Sequence, residues 1–294
     1  MTPKLPLPTP LSPGACIGIV GGGQLGRMLA LAAAELGFQT HVFCPEETSP
    51  ATQVASLSTQ ANYDDQPALD RFANSVDVVT YEFENIPVAT VAHIETLKPV
   101  LPSAKALEVA QDRWVEKSFM RDLGLGVADF YDITSEPDLR AALDATQGEG
   151  ILKTRRFGYD GKGQWRLSAS SQLDAIMAEL DGQAAILEAL VPFEREISLL
   201  VARNAAGDTA TYEAIENVHK NHILHTSTLP ARLSATQASQ AQTMAEKIAD
   251  ALDYVGVLAI ECFVTPQGLL VNEIAPRVHN SGHLTQDACH CGQF

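Results

Sequence analysis

The chain has 294 residues, 46% of them hydrophobic, enough to bury the cores of two domains or three small ones. Its 20 Lys and Arg against 36 Asp and Glu leave a formal charge of −16, which repels a nucleic-acid backbone and admits small anions only where cations gather locally. No apolar run approaches the roughly 18 residues of a membrane span, and the N-terminus lacks a charged-then-apolar leader, so the sequence reads as a soluble cytoplasmic protein without nucleic-acid or membrane partners.

Residues 1–13 hold five prolines and predict an extended, disordered tail. In IGIVGGGQLGRMLALAAAELGFQTHVFCPEE, residues 17–47, a strand at 17–20 runs into Gly21, Gly23 and Gly26, spelling G-x-G-x-x-G. A helix over 25–36 ends at Gly37 and a strand follows at 40–43, with Glu46 and Glu47 roughly 20 residues past the last glycine, where a ribose-binding carboxylate is expected. This suits a dinucleotide. It equally suits any tight strand-turn-helix entry, because the helix N-terminus attracts phosphate or carboxylate alike. Strands at 76–81 and 99–101 complete an open parallel α/β unit.

Residues 104–123 carry apolar positions at helical spacing and predict two bridging helices. In GEGILKTRRFGYDGKGQWRL two strands flank a glycine-rich loop, followed by a helix at 174–180 and a strand at 185–188. Beyond 189, strands are expected at 196–203, 209–216, 255–264 and 268–275, with one long helix over 235–252. The domains read as a tail (1–13), a Rossmann-like unit (14–105), bridging helices with a small lid (106–188) and a last unit (189–294). Cys16, Cys44 and Cys262 lie in or beside strands as small core residues, and Cys289-His290-Cys291 lacks a second ligand pair at zinc-finger spacing.

Three constellations carry chemistry. Lys153 leads into a loop with Gly158, Gly161 and Gly163, whose backbone N–H groups can approach an anion, and Arg155, Arg156 and Lys162 gather at the tip. A hairpin with a flexible tip has the same composition, and no G-K-[ST] opens a helix as a P-loop would. In the stretch VGVLAIECFVTPQGLLVNEIAPR, a three-residue hairpin loop with Gly268 left-handed sets Thr265 opposite Leu269 and therefore Glu261 opposite Glu273. Like charges so placed in apolar strands need a cation, and with Asn272 beside them they suit Mg²⁺ bridged to a phosphate. The competing arrangement pairs one carboxylate with Arg277, and a register slip of one residue sets Asn272 opposite Glu261 instead. Glu188 and Glu196 flank a strand junction, where a carboxylate can take ribose hydroxyls and the linker backbone an adenine edge.

Together GGGQLGRM, TYEFENI, GYDGKGQWRL and AIECFVTPQGLLVNEIAPRVHNSGH resemble the N5-carboxyaminoimidazole ribonucleotide synthase family of ATP-grasp enzymes, from about residue 17 to 294. The resemblance implies a mixed α/β and α+β chain: an ATP-grasp fold behind a Rossmann-like pre-ATP-grasp domain. It implies a C–N bond-forming ligase of purine synthesis that uses ATP and Mg²⁺ to join bicarbonate to 5-aminoimidazole ribonucleotide, working as a homodimer. By the same resemblance ATP falls to Arg113, Lys153, Gly158, Tyr159, Asp160, Gly161, Lys162, Gly163, Gln164, Glu188, Ala189, Leu190, Val191, Glu196, His219, Asn272 and Glu273, with Glu261 and Glu273 holding the metal. The ribonucleotide falls to Gly23, Gln24, Leu25, Glu84, Tyr159, Lys162, Arg277, His279, Asn280 and Ser281, and catalysis to Lys153, Asp160 and Arg277. His279 and His283 stand four apart but without the glutamate of a helical zinc motif.

The family pattern continues past residue 294, so the chain is expected to lack a C-terminal segment and to bind ATP while handling the ribonucleotide poorly. Equal bicarbonate-dependent turnover with and without a C-terminal extension would refute this. The alternatives are another ATP-grasp ligase acting on a ribonucleotide amine, such as a formate-dependent transformylase, an NAD-dependent oxidoreductase resting on G-x-G-x-x-G alone, and a catalytically inert nucleotide sensor.

Overall fold

The structure, a computed structural model, describes residues 10–158, 163–221 and 223–294. The expected tail therefore falls mostly outside the described residues. Three sheets follow one another along the chain. The first has the order β3-β2-β1-β4, all parallel, from β1 (Cys16–Val20), β2 (Gln39–Cys44), β3 (Leu57–Gln60) and β4 (Val78–Tyr81). Helix α1 (Gln24–Glu35) connects β1 to β2, α2 (Gln66–Asn74) connects β3 to β4, and α3 (Val88–Glu95) follows β4. Every β2 residue from Thr40 to Cys44 is buried, as in a parallel strand covered on both faces, and the polar His41 is satisfied there by the Ser75 and Thr59 hydroxyls. The expected strand at 99–101 is reduced to a single bridge between Val79 and Val100.

Helices α4 (Ala104–Ala110) and α5 (Arg113–Asp122) form the bridge, and Asp112 caps α5 by accepting from the Trp114 and Val115 N–H groups. The second sheet is antiparallel, β5-β8-β6-β7, from β5 (Phe130–Ile133), β6 (Glu149–Thr154), β7 (Gln164–Ser168) and β8 (Ala185–Ala189), covered by α6 (Glu136–Ala145) and α7 (Leu173–Leu180). The third has the order β12-β11-β9-β13-β14 with β10 added to β9. Its strands are β9 (Arg195–Arg203), β10 (Thr209–Thr211), β11 (Ile215–Lys220), β12 (Ile223–Thr228), β13 (Gly256–Thr265) and β14 (Gly268–Ala275). The stretch 209–216 expected as one strand is thus broken between β10 and β11. Helix α8 (Ala235–Ala251), begun by a Ser234/Gln237 capping box, buries Ala241, Met244, Ala245 and Ile248 in one core with β9 and β13. Each sheet has its own hydrophobic core, and among the described residues no helix is long and apolar enough to cross a membrane.

Candidate active site

A cavity of about 420 Å³ opens where the three sheets meet. Of the residues singled out in the sequence, Glu84, Arg113, Lys153, Gly158, Gln164, Glu196, His219, Glu261, Asn272, Glu273, Arg277, His279 and Asn280 border it. Tyr159, Asp160, Gly161 and Lys162 lie outside the described residues. Gly163, at φ +67°, packs on Thr154. Gly23, Gln24, Leu25, Glu188, Ala189, Leu190, Val191 and Ser281 do not border the cavity.

The β13–β14 hairpin reaches the expected pairing by a different route. Its loop is two residues, Pro266-Gln267, with Thr265 opposite Gly268, not Leu269. That register alone would set Asn272 against Glu261. A bulge at Asn272 adds one residue to β14 and returns Glu273 to Glu261. Asn272 Oδ1 is buried without a hydrogen-bond partner among the described residues, next to these opposed carboxylates. Two carboxylates and an orphaned amide oxygen are a hard-oxygen donor set that fits Mg²⁺. No three His, Cys, Asp or Glu side chains among the described residues cluster as a metal cage, so remaining ligands would have to come from phosphate and water.

Under the hairpin, α5 presents Arg113, Glu116, Lys117 and Met120 on one face at i, i+3, i+4 and i+7. Arg113 donates to Glu273 at 3.0 Å; burial works to weaken the guanidinium's hold on its proton, but the charges of Glu273, Glu116 and Glu188 outweigh it and raise that affinity. Glu188, 3% exposed, accepts from Lys153 at 3.0 Å and lies 3.3 Å from Lys117, itself 1% exposed. Burial alone would raise the Glu188 carboxyl, but Lys117 and Lys153 outweigh it and hold it down to about 2. The Glu188 carboxylate, expected at the nucleotide, is ion-paired with two lysines and does not itself border the cavity. Burial and the neighbouring Lys117 and Arg113 lower Lys153, while Glu188 works against the shift.

Glu116 accepts from the Ile274 N–H at 2.6 Å, clamping β14 just past the bulge. Burial first, then Glu273, pushes its carboxyl up to about 8. A proton held to pH 8 when folded but released near pH 4.5 when unfolded means a contribution complete below that lower pH and lost as pH rises through 8. Glu116→Gln keeps the acceptor and removes the titration. Its melting temperature is expected to exceed wild type by several degrees at pH 8 and to converge on it at pH 5; parallel curves across that range would refute the assignment.

On the far wall Arg277 is ion-paired with Glu84, and His279 Nε2 lies 3.2 Å from Glu261 Oε1. Arg277 pairs with neither opposed carboxylate; Glu273 is paired with Arg113 instead, and Glu261 lies against His279. His219 is ion-paired with Glu196, whose hydrogen bond raises the imidazole. The basic cluster at the loop divides. Arg155 makes a two-pronged contact with Asp112, at 2.9 Å on each oxygen, and Arg156 joins it at 3.3 Å, so these arginines anchor the β6 end to the α5 cap, while Lys153 and Arg155 both border the cavity.

The G-x-G-x-x-G turn has its anion within the chain. Glu82, 6% exposed, accepts from the Gly23 N–H at 2.7 Å and the Gly26 N–H at 3.1 Å at the start of α1. A Cβ on Gly21 or Gly23 would stand 2.6 Å from Glu82 atoms, so these glycines make room for a carboxylate side chain. A dinucleotide pyrophosphate would have to displace it, and the oxidoreductase reading loses its only support. Gly23 loses its amide as a free substrate donor in the same way; Gln24 is exposed beside it and Leu25 half-buried.

Sequence reading overlooked Glu82, Glu116 and Lys117. The signal for the last two was present: charged residues at i+3 and i+4 from Arg113, on the helix face shared with Met120.

Residues 15–111 match the ribonucleotide synthetase preATP-grasp domain and residues 118–294 the ATP-grasp domain. The N5-carboxyaminoimidazole ribonucleotide synthase of Brucella melitensis biotype 1 is 50% identical over 289 residues, 97% of this chain and 80% of that protein. An N5-carboxyaminoimidazole ribonucleotide synthetase solved as its ADP complex superposes at a TM-score of 0.92 and 41% identity, covering 100% of this chain and 76% of that one. The N5-carboxyaminoimidazole synthase of Aspergillus clavatus in complex with ADP and 5-aminoimidazole ribonucleotide gives a TM-score of 0.85 at 26% identity, over 96% of this chain and 74% of that one. The chain belongs to the N5-carboxyaminoimidazole ribonucleotide synthase family of ATP-grasp enzymes.

Proposed function

We propose that the protein carboxylates 5-aminoimidazole ribonucleotide, using ATP and bicarbonate and releasing ADP and phosphate, in cytoplasmic purine synthesis. The observation that carries this reading is one cavity bordered by Lys153, by the opposed Glu261 and Glu273, and by the Arg277–Asn280 wall. The first two groups suit a triphosphate and its metal. The third suits a second, anionic substrate within reach of the same phosphate.

Bicarbonate is a poor electrophile. In the proposed reaction its oxygen forms a bond to the γ-phosphorus as the bond to the β–γ bridging oxygen breaks, giving carboxyphosphate and ADP. The ribonucleotide amine then bonds to the carboxyphosphate carbon, the C–O bond to phosphate breaks, and the nitrogen loses a proton. Such chemistry needs positioning and charge neutralisation rather than a protein nucleophile. Lys153 supplies a point charge to the transferring phosphate, and the Arg113–Glu273 pair fixes the carboxylate beside it. When bound by Glu261, Glu273 and Asn272, Mg²⁺ would neutralise phosphate charge. Arg277, oriented by Glu84, and His279 with Asn280 hold the ribonucleotide. Asp160 keeps the catalytic role implied by family resemblance. The 106–188 segment acts as a lid between the units 14–105 and 189–294, and the protein works as a homodimer.

Phosphate release from ATP, measured with and without 5-aminoimidazole ribonucleotide and bicarbonate, tests this. Stimulation that requires both is expected; ATP hydrolysis indifferent to the ribonucleotide would defeat the reading.

A further inference from the structure

His279 borders the cavity, and its ring lies between Glu261 at 3.2 Å and the Ser281 hydroxyl at 2.8 Å. Its main chain is held by a side chain from elsewhere. Gln293 Oε1 accepts from the His279 N–H at 2.8 Å, and Gln293 Nε2 donates to the His279 carbonyl at 2.7 Å. The carboxamide thus engages both polar groups of one residue, as a neighbouring strand would.

The bracket is itself held. Gln293 is 4% exposed, and its N–H donates to Thr285 Oγ1 at 3.0 Å, while that hydroxyl donates to the Gly282 carbonyl at 2.7 Å. Gly282 has no side chain where one would collide: a Cβ there would lie 2.2 Å from Gln293 Oε1. The short 3₁₀ turn Asn280–Gly282 is therefore closed around the Gln293 side chain.

We propose that Gln293 is a positioning residue for the ribonucleotide wall, fixing the 277–281 backbone so that Arg277, His279 and Asn280 face the substrate. The proposal rests on reading that wall as the ribonucleotide's. It assigns the residue no contact with ATP: Glu273 is held by Arg113, the β14 backbone by Glu116 and Lys153 by Glu188, while Glu261 meets this wall through the His279 ring.

Gln293→Ala removes both hydrogen bonds and leaves the half-buried His279 N–H and carbonyl without them. The KM for 5-aminoimidazole ribonucleotide is expected to rise about tenfold, while the KM for ATP stays within about twofold of wild type. Hydrogen–deuterium exchange should quicken in peptides covering 277–283 and stay unchanged in those of β9 and α8. A purely structural role would lower the melting temperature and the active fraction without separating the two KM values. If Gln293→Ala does not accumulate folded, Gln293→Glu, near-isosteric but lacking the donor, is expected to show the same selective rise. Unchanged ribonucleotide KM, equal change in both KM values, or unaltered exchange over 277–283 would overturn the proposal. The exchange measurement does not depend on turnover, so it separates failure of the bracket from failure of the proposed reaction.

Discussion

Glu273→Gln is expected to reduce ATP-dependent carboxylation at least about a hundredfold while leaving the fold intact, because a neutral amide cannot balance cation charge at the transferring phosphate. Glu273 stands opposite Glu261 only because of the bulge at Asn272, and Arg113 holds it at 3.0 Å. The substitution keeps the size of the side chain and one acceptor oxygen. It would also leave Arg113 with less countercharge, were Glu116 not beside it. Burial raises Glu116 first, and the Glu273 charge raises it further. When that charge is removed, Glu116 ionises at lower pH and compensates the guanidinium. The expected signature is thus threefold: turnover lost, melting temperature within a few degrees of wild type, and the pH-dependent part of stability shifted toward acid. Steady-state phosphate release across Mg²⁺ concentrations, alongside thermal melts at several pH values, checks it. Turnover within tenfold of wild type would remove Glu273 from the metal.

The opposed carboxylates were legible because two polar acids interrupt strands that are otherwise apolar, and a hairpin leaves few registers. The bulge was not. The expected three-residue loop and the observed two-residue loop plus bulge give the same Glu261–Glu273 pairing, and alternation of side chains along a strand does not record where the extra residue goes. The glycine turn misled for a related reason: its glycines report that something must approach the backbone closely, and Glu82, distant in sequence, is what approaches. Partners of this kind have no period. Gln293 on His279 and Lys117 on Glu188 join segments that only the fold brings together, so pattern reading found the cavity's lining better than its supports.

Glu188 shows the difference between lining and support, and its removal is expected to be the most destabilising single change in the site. Glu188→Gln would leave the Lys117 and Lys153 ammonium groups buried side by side with no carboxylate between them. Breaking a buried ion pair by neutralising one partner typically costs about 3–5 kcal/mol, because the remaining charge keeps its desolvation penalty without its attraction. Here two ammonium groups are stranded, one of them 1% exposed. The depressed carboxyl means this contribution is present above the unfolded value near pH 4.5 and fades only as pH falls toward 2, so the loss should be complete at pH 7. Lys117→Met added to Glu188→Gln removes the more deeply buried of the two and should recover part of the stability, a non-additivity that a double-mutant cycle in urea reads directly. A nucleotide ligand would behave otherwise: its loss would raise the KM for ATP and leave the urea midpoint in place. Glu188→Gln with unaltered stability and a raised KM would return the residue to the nucleotide, whereas a collapsed midpoint rescued by Lys117→Met fixes it as the counterion that holds Lys153 at the cavity floor.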